Sequence, residues 1–452
     1  MGYLYVYIAI VACFFIAVLR YPSTAIAAVL CVFALKQWAQ SVDPFFTAHA
    51  TLTNYVVACI ALVGFLASAA RRKPIFSGYP GVGWLVIALF LYSYMSVLWV
   101  TNPDLVYKVW INELPYVIIL ILMSPLLISS TDSYPQFLRA LLILGTLLVF
   151  LLLLTSKWTA RGVALMGVDV MKAQGNPLAV AEVAGYVMAC VVLMNFKGKW
   201  RALQLSRWLV VAGCLALAAK SGSRGQFFVM MIGTAAFIPV SRKITNPVNF
   251  IMLFVGIILL AFLGDWAFHE FSSAADSRWH SAKMHQDVFG RFNAVGKLLA
   301  AWSESAFSIL FGLGNSASFD PKIIGFYPHV VPLEILGEEG IVGFSLFMSL
   351  IYFTCRNLLR ILKAVQADTE KRGFLAALGA IFLFELVLSC KQGSLMGSPI
   401  LFTFIILIGK YELLVRKEGA VGINRIELPR RSTLNPVRRV PLKTAEIASG
   451  GA

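Results

Sequence analysis

Apolar residues gather along this chain into long, nearly uninterrupted runs, broken by short clusters of glycine, proline and charge. Thirteen runs stand out, at positions 2–19, 23–35, 52–70, 82–100, 114–128, 137–154, 178–194, 208–219, 227–240, 250–263, 342–355, 374–389 and 399–414. A helix needs about 20 residues to cross roughly 30 Å of hydrocarbon. The pattern therefore predicts an all-α polytopic membrane protein with about 12–13 transmembrane helices. The runs at 23–35, 114–128 and 208–219 are the short ones. Barrel strands would be about ten residues long and would alternate, and these runs do not.

Composition sharpens the picture. Of 452 residues 59% are apolar and only 13% charged, against about 25% charged in soluble domains. Mean hydropathy is +0.80. A water-soluble globule, a disordered chain and a disulfide scaffold are excluded. The seven cysteines lie in or beside apolar runs without metal-ligand spacing, so they read as small buried hydrophobes and no metal site is expected. Run 2–19 has no basic leader and is followed closely by another, as expected of a retained helix rather than a cleaved signal.

The formal charge of +16 would suggest nucleic acid in a soluble protein; here the placement of the charges gives membrane orientation instead. Crossing two spans at a time from Arg71-Arg72-Lys73 leads to Arg139, then Lys197 to Arg207, Arg242-Lys243, Arg356 to Arg372 and the tail from Lys410. With Arg20, these sites hold 25 of the 38 basic residues, which assigns that face to the cytoplasm. The organisation expected is N-terminal helices over 1–130, central helices over 131–264 with outer loops carrying Arg161 and Arg224, a large periplasmic loop with short helices over 265–339, C-terminal helices over 340–415, and a basic cytoplasmic tail over 416–452 lying near anionic headgroups. The long outer loop places the work of the protein on the outer face of the inner membrane.

Four constellations could carry chemistry. Ser221-Gly-Ser-Arg-Gly225 sets two hydroxyls and a guanidinium at the start of a helix, where unpaired N–H groups and the helix dipole attract anions; an ordinary cap beside a snorkelling arginine has the same appearance. Arg291, in Asp287-Val-Phe-Gly-Arg-Phe-Asn293, stands in the long loop ahead of Phe311-Gly-Leu-Gly-Asn315. Arg161 lies in Thr159-Ala-Arg-Gly162. Either could be a solvated loop residue. Last comes the stretch from Tyr327 to Gly343. Its His329 is one of five histidines and the only one in a glycine-punctuated segment entering a span. It reads either as a satisfied interfacial histidine or as a base near neutral pH. Glu182 and Glu385 fall inside runs, where an acid is a functional candidate or a structural pairing between helices.

These residues resemble the signature of the O-antigen ligase and O-antigen polymerase superfamily: His329, ten residues, then Gly340-x-x-Gly343, with Leu333-Glu334 and Glu338-Glu339 between. Ser221 to Gly225, Arg291 and Phe311-Gly-Leu-Gly314 fit the same pattern in the same order. The resemblance spans roughly 152–398, and Val330 stands where the family usually has a small polar residue. It implies a bacterial inner-membrane glycosyltransferase working on the periplasmic face without metal or other cofactor. The donor would be a glycan on undecaprenyl pyrophosphate. The acceptor would be a sugar hydroxyl of the lipid A core for a ligase, or of another lipid-linked glycan for a polymerase, with ligase preferred for the compact outer loop. Under this resemblance Arg224 and Arg291, helped by Arg161 and Lys391, bind the pyrophosphate. His329 is the catalytic base or hydroxyl-orienting group. Ser221, Ser223, Glu334, Glu338, Gly340 and Gly343 support them, with Glu334 or Glu338 holding the histidine ring.

Other classes fit less well. A transporter or lipid flippase would be polytopic and basic too, but should show inverted repeats and midplane charges, and the distinctive basic residues here gather at one mouth. A peptidoglycan polymerase of the shape and division type would need an acidic loop motif that is not found. No glycine-rich phosphate loop indicates an ATP-driven pump, and nucleic acid is not an expected partner.

Overall fold

The computed structural model describes residues 2–71, 78–159, 162–167, 175–196, 202–242, 262 and 281–426. Over these the protein is all-α, apart from a two-stranded antiparallel hairpin, β1 (Trp158–Thr159) with β2 (Gly162–Val163). Among the described residues seven helices are long and apolar enough to cross a membrane, or eight if one bent pair is a single span. The chain is thus a polytopic helical membrane protein. Of the expected runs outside this count, 208–219, 227–240 and 399–414 lie in helices of 19, 18 and 28 residues, and the others are short, bent or largely outside the described residues. Run 23–35 is one of them: α2 (Thr24–Leu30) and α3 (Val32–Val42) meet at a 55° bend. Run 178–194 forms a 17-residue helix, and run 250–263 lies, but for Phe262, outside the described residues.

The N-terminal part packs α1 (Gly2–Arg20) on α5 (Leu52–Ala70), with α2 between them and α9 (Ser133–Thr155); α4 (Pro44–Ala48) is a short turn at the end of α3. The helix α6 (Gly81–Met95) leads to α7 (Pro103–Val117). Pro115 has no N–H to give, and the turn beyond it widens into a π-helical stretch, Ile118–Met123, before α8 (Ser124–Leu127).

The centre is α10 (Pro177–Leu193), buried along nearly its whole length among α9, α11 (Ala202–Lys220), α12 (Arg224–Ser241) and α16 (Thr369–Ser389). Lipid tails are as apolar as leucine, so close backbone approach through small residues holds such a helix. At Gly185 a Cβ would come within 2.6 Å of the Phe384 ring. One residue on, the Tyr186 hydroxyl donates to Glu385 Oε1 at 2.6 Å. Gly185→Leu should therefore separate α10 from α16 and cost about 1–3 kcal/mol, read as a lower midpoint in detergent denaturation; an unchanged midpoint would show that this contact is not tight.

The segment 265–339, expected as a loop with short helices, instead contains α13 (Ser281–Trp302), 22 residues long. Its sequence is amphipathic, so no apolar run marks it. Then α14 (Ala306–Phe311), begun by a Ser305–Ser308 capping box, leads to α15 (Val331–Ala364). The last helix, α17 (Pro399–Ile426), continues past the expected start of the tail at 416, and 427–452 lies outside the described residues.

Candidate active site

Between α11 and α12 the chain reverses in three residues. Gly222 takes φ +71. Ser221 Oγ donates to Ala218 O at 2.7 Å and accepts from Ser223 N, and Ser223 Oγ donates to Pro177 O at 2.9 Å. Both hydroxyls therefore build the turn and tie the start of α12 to the start of α10. They set Arg224 at the first position of α12.

Two other segments reach this point. The side chain of Lys391, two residues past the end of α16, lies across Gly225, where any Cβ would collide with its ammonium end. Arg291 of α13 donates from Nη1 to the carbonyl of Lys391 at 2.9 Å. Next door, Gln226 Nε2 donates to Gln392 Oε1 at 2.6 Å. Three segments far apart in sequence thus bring Arg224, Arg291 and Lys391 together at the positive end of a helix, an arrangement that favours an anion. Arg161 lies outside the described residues.

His329 sits just before α15 with φ +62, one of two non-glycine residues with positive φ among those described. Such a conformation is uncommon and tends to cluster at working sites. It folds the ring back on Tyr327, with centroids 4.1 Å apart. Burial and the nearby Glu334 charge push the Tyr327 hydroxyl above its ordinary range, while Arg291 opposes the shift. Tyr327 thus packs on the histidine ring and lies near Arg291.

The glutamates of α15 have backbone work. Glu338 accepts from Ser316 N at 2.7 Å and Ser318 N at 3.0 Å, one with each oxygen. Glu334 Oε1 accepts from Leu395 N at 3.0 Å. Glu339, which the motif contains without an assigned role, accepts from the Ser93 hydroxyl at 2.5 Å. These bonds clamp the loop 312–320, the turn after α16 and the end of α6 around the first turns of α15. The hydrogen bonds of Glu334 and Glu338 given above all serve that clamp. It depends on Gly340, whose φ +66 and ψ −169 break the helix. Leu313 N and Gly314 N then donate to Gly337 O and Glu338 O at 3.0 and 2.8 Å. Gly343, one turn beyond the break, lies close to the Tyr92 ring.

Beside the cluster opens a cavity of about 520 Å³. Glu182 and Glu385 line it from α10 and α16, Asn112 and Glu113 from α7, and Tyr327 and Gln392 connect it to the histidine and the cations. Sequence reasoning finds Glu182 and Glu385 but misses Glu113, because the apolar run at 114–128 begins one residue after it. Among the described residues no group of three or more His, Cys, Asp or Glu is arranged to hold a metal. No protein-family model and no curated protein matches the chain.

Proposed function

We propose that this protein transfers a glycan from undecaprenyl pyrophosphate to a sugar hydroxyl at the periplasmic face of a bacterial inner membrane, as an O-antigen ligase acting on the lipid A core. The observation that carries this reading is the meeting of Arg224, Arg291 and Lys391 at the start of α12, beside a cavity large enough for a sugar. In such a transfer the acceptor oxygen forms a bond to the anomeric carbon. The bond from that carbon to the pyrophosphate oxygen breaks, and its electron pair leaves with the pyrophosphate. Fixed guanidinium and ammonium groups at a partly desolvated surface stabilise that growing charge. The acceptor hydroxyl must also lose a proton, and His329, held beside Tyr327, is the candidate to take it. The metal-independent character of the reaction belongs to this proposal.

A strain lacking the gene tests the reading. The result expected is full-length polymer on the lipid carrier, with lipid A core left bare on a gel of surface polysaccharide. Accumulated single repeat units would instead make the protein the polymerase. An unchanged polysaccharide profile would reject glycan transfer altogether.

A further inference from the structure

The cavity beside the cations has a chemistry of its own. Among the described residues its walls carry three acidic side chains, Glu113, Glu182 and Glu385, and no lysine, arginine or histidine. A phosphate would find no cation there to pair with. Side-chain amides of Asn112, Asn176 and Gln392 and the hydroxyls of Ser389, Ser394 and Ser398 complete the polar lining. Aromatic rings face the same space, among them Phe33 and Tyr116, whose centroids are 5.4 Å apart. Carboxylates and amides that accept and donate, together with apolar ring faces, suit a ligand that is rich in hydroxyls on its edges and in C–H on its faces.

Two buried amides stand directly behind the cavity wall. Gln226 is fully buried and its Oε1 has no hydrogen-bond partner, although its Nε2 is bonded to the cavity-lining Gln392. Gln37 is also buried, with an unpartnered Oε1, while its Nε2 donates to the carbonyl of the cavity-lining Asn176 at 2.8 Å. Buried amide oxygens are rarely left unsatisfied without cause. Neither glutamine lines the cavity itself; each braces a side chain or carbonyl of a residue that does, Gln392 and Asn176.

From this we infer that the cavity seats the sugar ring directly joined to the pyrophosphate, and that its acidic walls accept neutral sugars while rejecting acidic ones such as uronates. Lys391, beside the helix start, and Gln392, in the cavity wall, are consecutive residues, so the cavity adjoins the anion site. The inference rests on the glycan-transfer reading for the identity of the ligand, and adds to it the class of sugar accepted. A uronate would bring a carboxylate into a buried space beside three acidic side chains, where the described lining offers no cation to pair with it.

Binding to the purified full-length protein tests it without any turnover. The probes are undecaprenyl pyrophosphate alone, the same lipid bearing one glucose, and the same lipid bearing one glucuronate, which differ from each other only in the ring or at its C6 group. Glucose should tighten binding about tenfold or more over the bare lipid, and glucuronate should give no gain. Ala179→Phe, which fills the cavity from α10, should remove the glucose gain and leave binding of the bare lipid as it was. Should that variant fail to fold, the near-isosteric Glu182→Gln and Glu385→Gln serve instead, and should let glucuronate bind better than it does to the unaltered protein. Equal binding of bare and glucosylated lipid overturns the inference while leaving the anion site standing. So does a gain from glucuronate equal to that from glucose, or discrimination unchanged in both glutamine variants. If the bare lipid itself does not bind, the pyrophosphate reading fails and the inference falls with it.

Discussion

Arg291→Ala should abolish glycan transfer while leaving a folded, membrane-inserted protein. A single fixed donor to a developing negative charge is worth roughly 100- to 1,000-fold in turnover, and this guanidinium does more than supply charge. Through its bond to the Lys391 carbonyl it holds the turn that carries the lysine across Gly225, so its loss also loosens a second cation. Arg224→Ala should have an effect of similar size. Arg224→Lys should recover only part of it, because an ammonium keeps the charge but lacks the planar fork. A lost charge-assisted hydrogen bond is worth about 1.5–3 kcal/mol. The measurement is transfer from a lipid-linked donor by purified protein, with the melting temperature read alongside. Wild-type turnover in both alanine variants would remove the cation cluster from the mechanism; a collapse of the melting temperature would make the arginines structural.

The sequence announces the membrane helices because each must be apolar over most of its length, and no tertiary context is needed to see that. What it hides follows equally from physics. The 22-residue α13 is amphipathic, and a search for apolar runs passes over it even though it delivers Arg291. Likewise Pro115 and the π-helical stretch after it divide one apolar stretch from the polar turn bearing Asn112 and Glu113. The polar half has the look of a loop, which hides two cavity residues.

The site itself is half legible. Arg224, Arg291, Lys391 and His329 stand out by residue type and local setting, and the fold brings the three cations together across 167 positions of chain, from 224 to 391. Which partner each glutamate finds cannot be read in the same way. A carboxylate next to a histidine motif suggests an imidazole partner, yet a buried carboxylate is satisfied by whatever N–H groups the fold presents, and at Glu338 these are the amides of Ser316 and Ser318. The hydroxyls of Ser221 and Ser223 show the same thing. Their composition suggests a place for anions, but they are spent on Ala218 and Pro177 carbonyls, making the turn that positions the arginine.

Gly340→Ala should be severely damaging, for a reason distinct from that of the arginine variants. At φ +66 and ψ −169 the backbone is in a region open essentially to glycine alone, and a side chain there costs roughly 1–3 kcal/mol. The added Cβ would also come within 2.5 Å of Gly312 N and press on the Leu310 carbonyl. These are backbone atoms with no rotamer to yield, so overpacking adds about 1–3 kcal/mol more. Relief requires the break in α15 to straighten, which pulls Gly337 and Glu338 from the amides of Leu313 and Gly314, and Glu338 from those of Ser316 and Ser318. The short helix carrying Glu334 would then swing, and with it the His329–Tyr327 pair at its start. Folded yield, melting temperature and transfer should fall together, whereas Arg291→Ala should lose transfer alone. Gly296→Ala provides the contrast: that glycine lies inside α13 with nothing within 4 Å of where a Cβ would stand, so alanine should be tolerated or raise stability by up to about 1 kcal/mol. Equal behaviour of the two alanine variants would mean that the break at Gly340 is not what holds the 312–320 loop and the start of α15 in place.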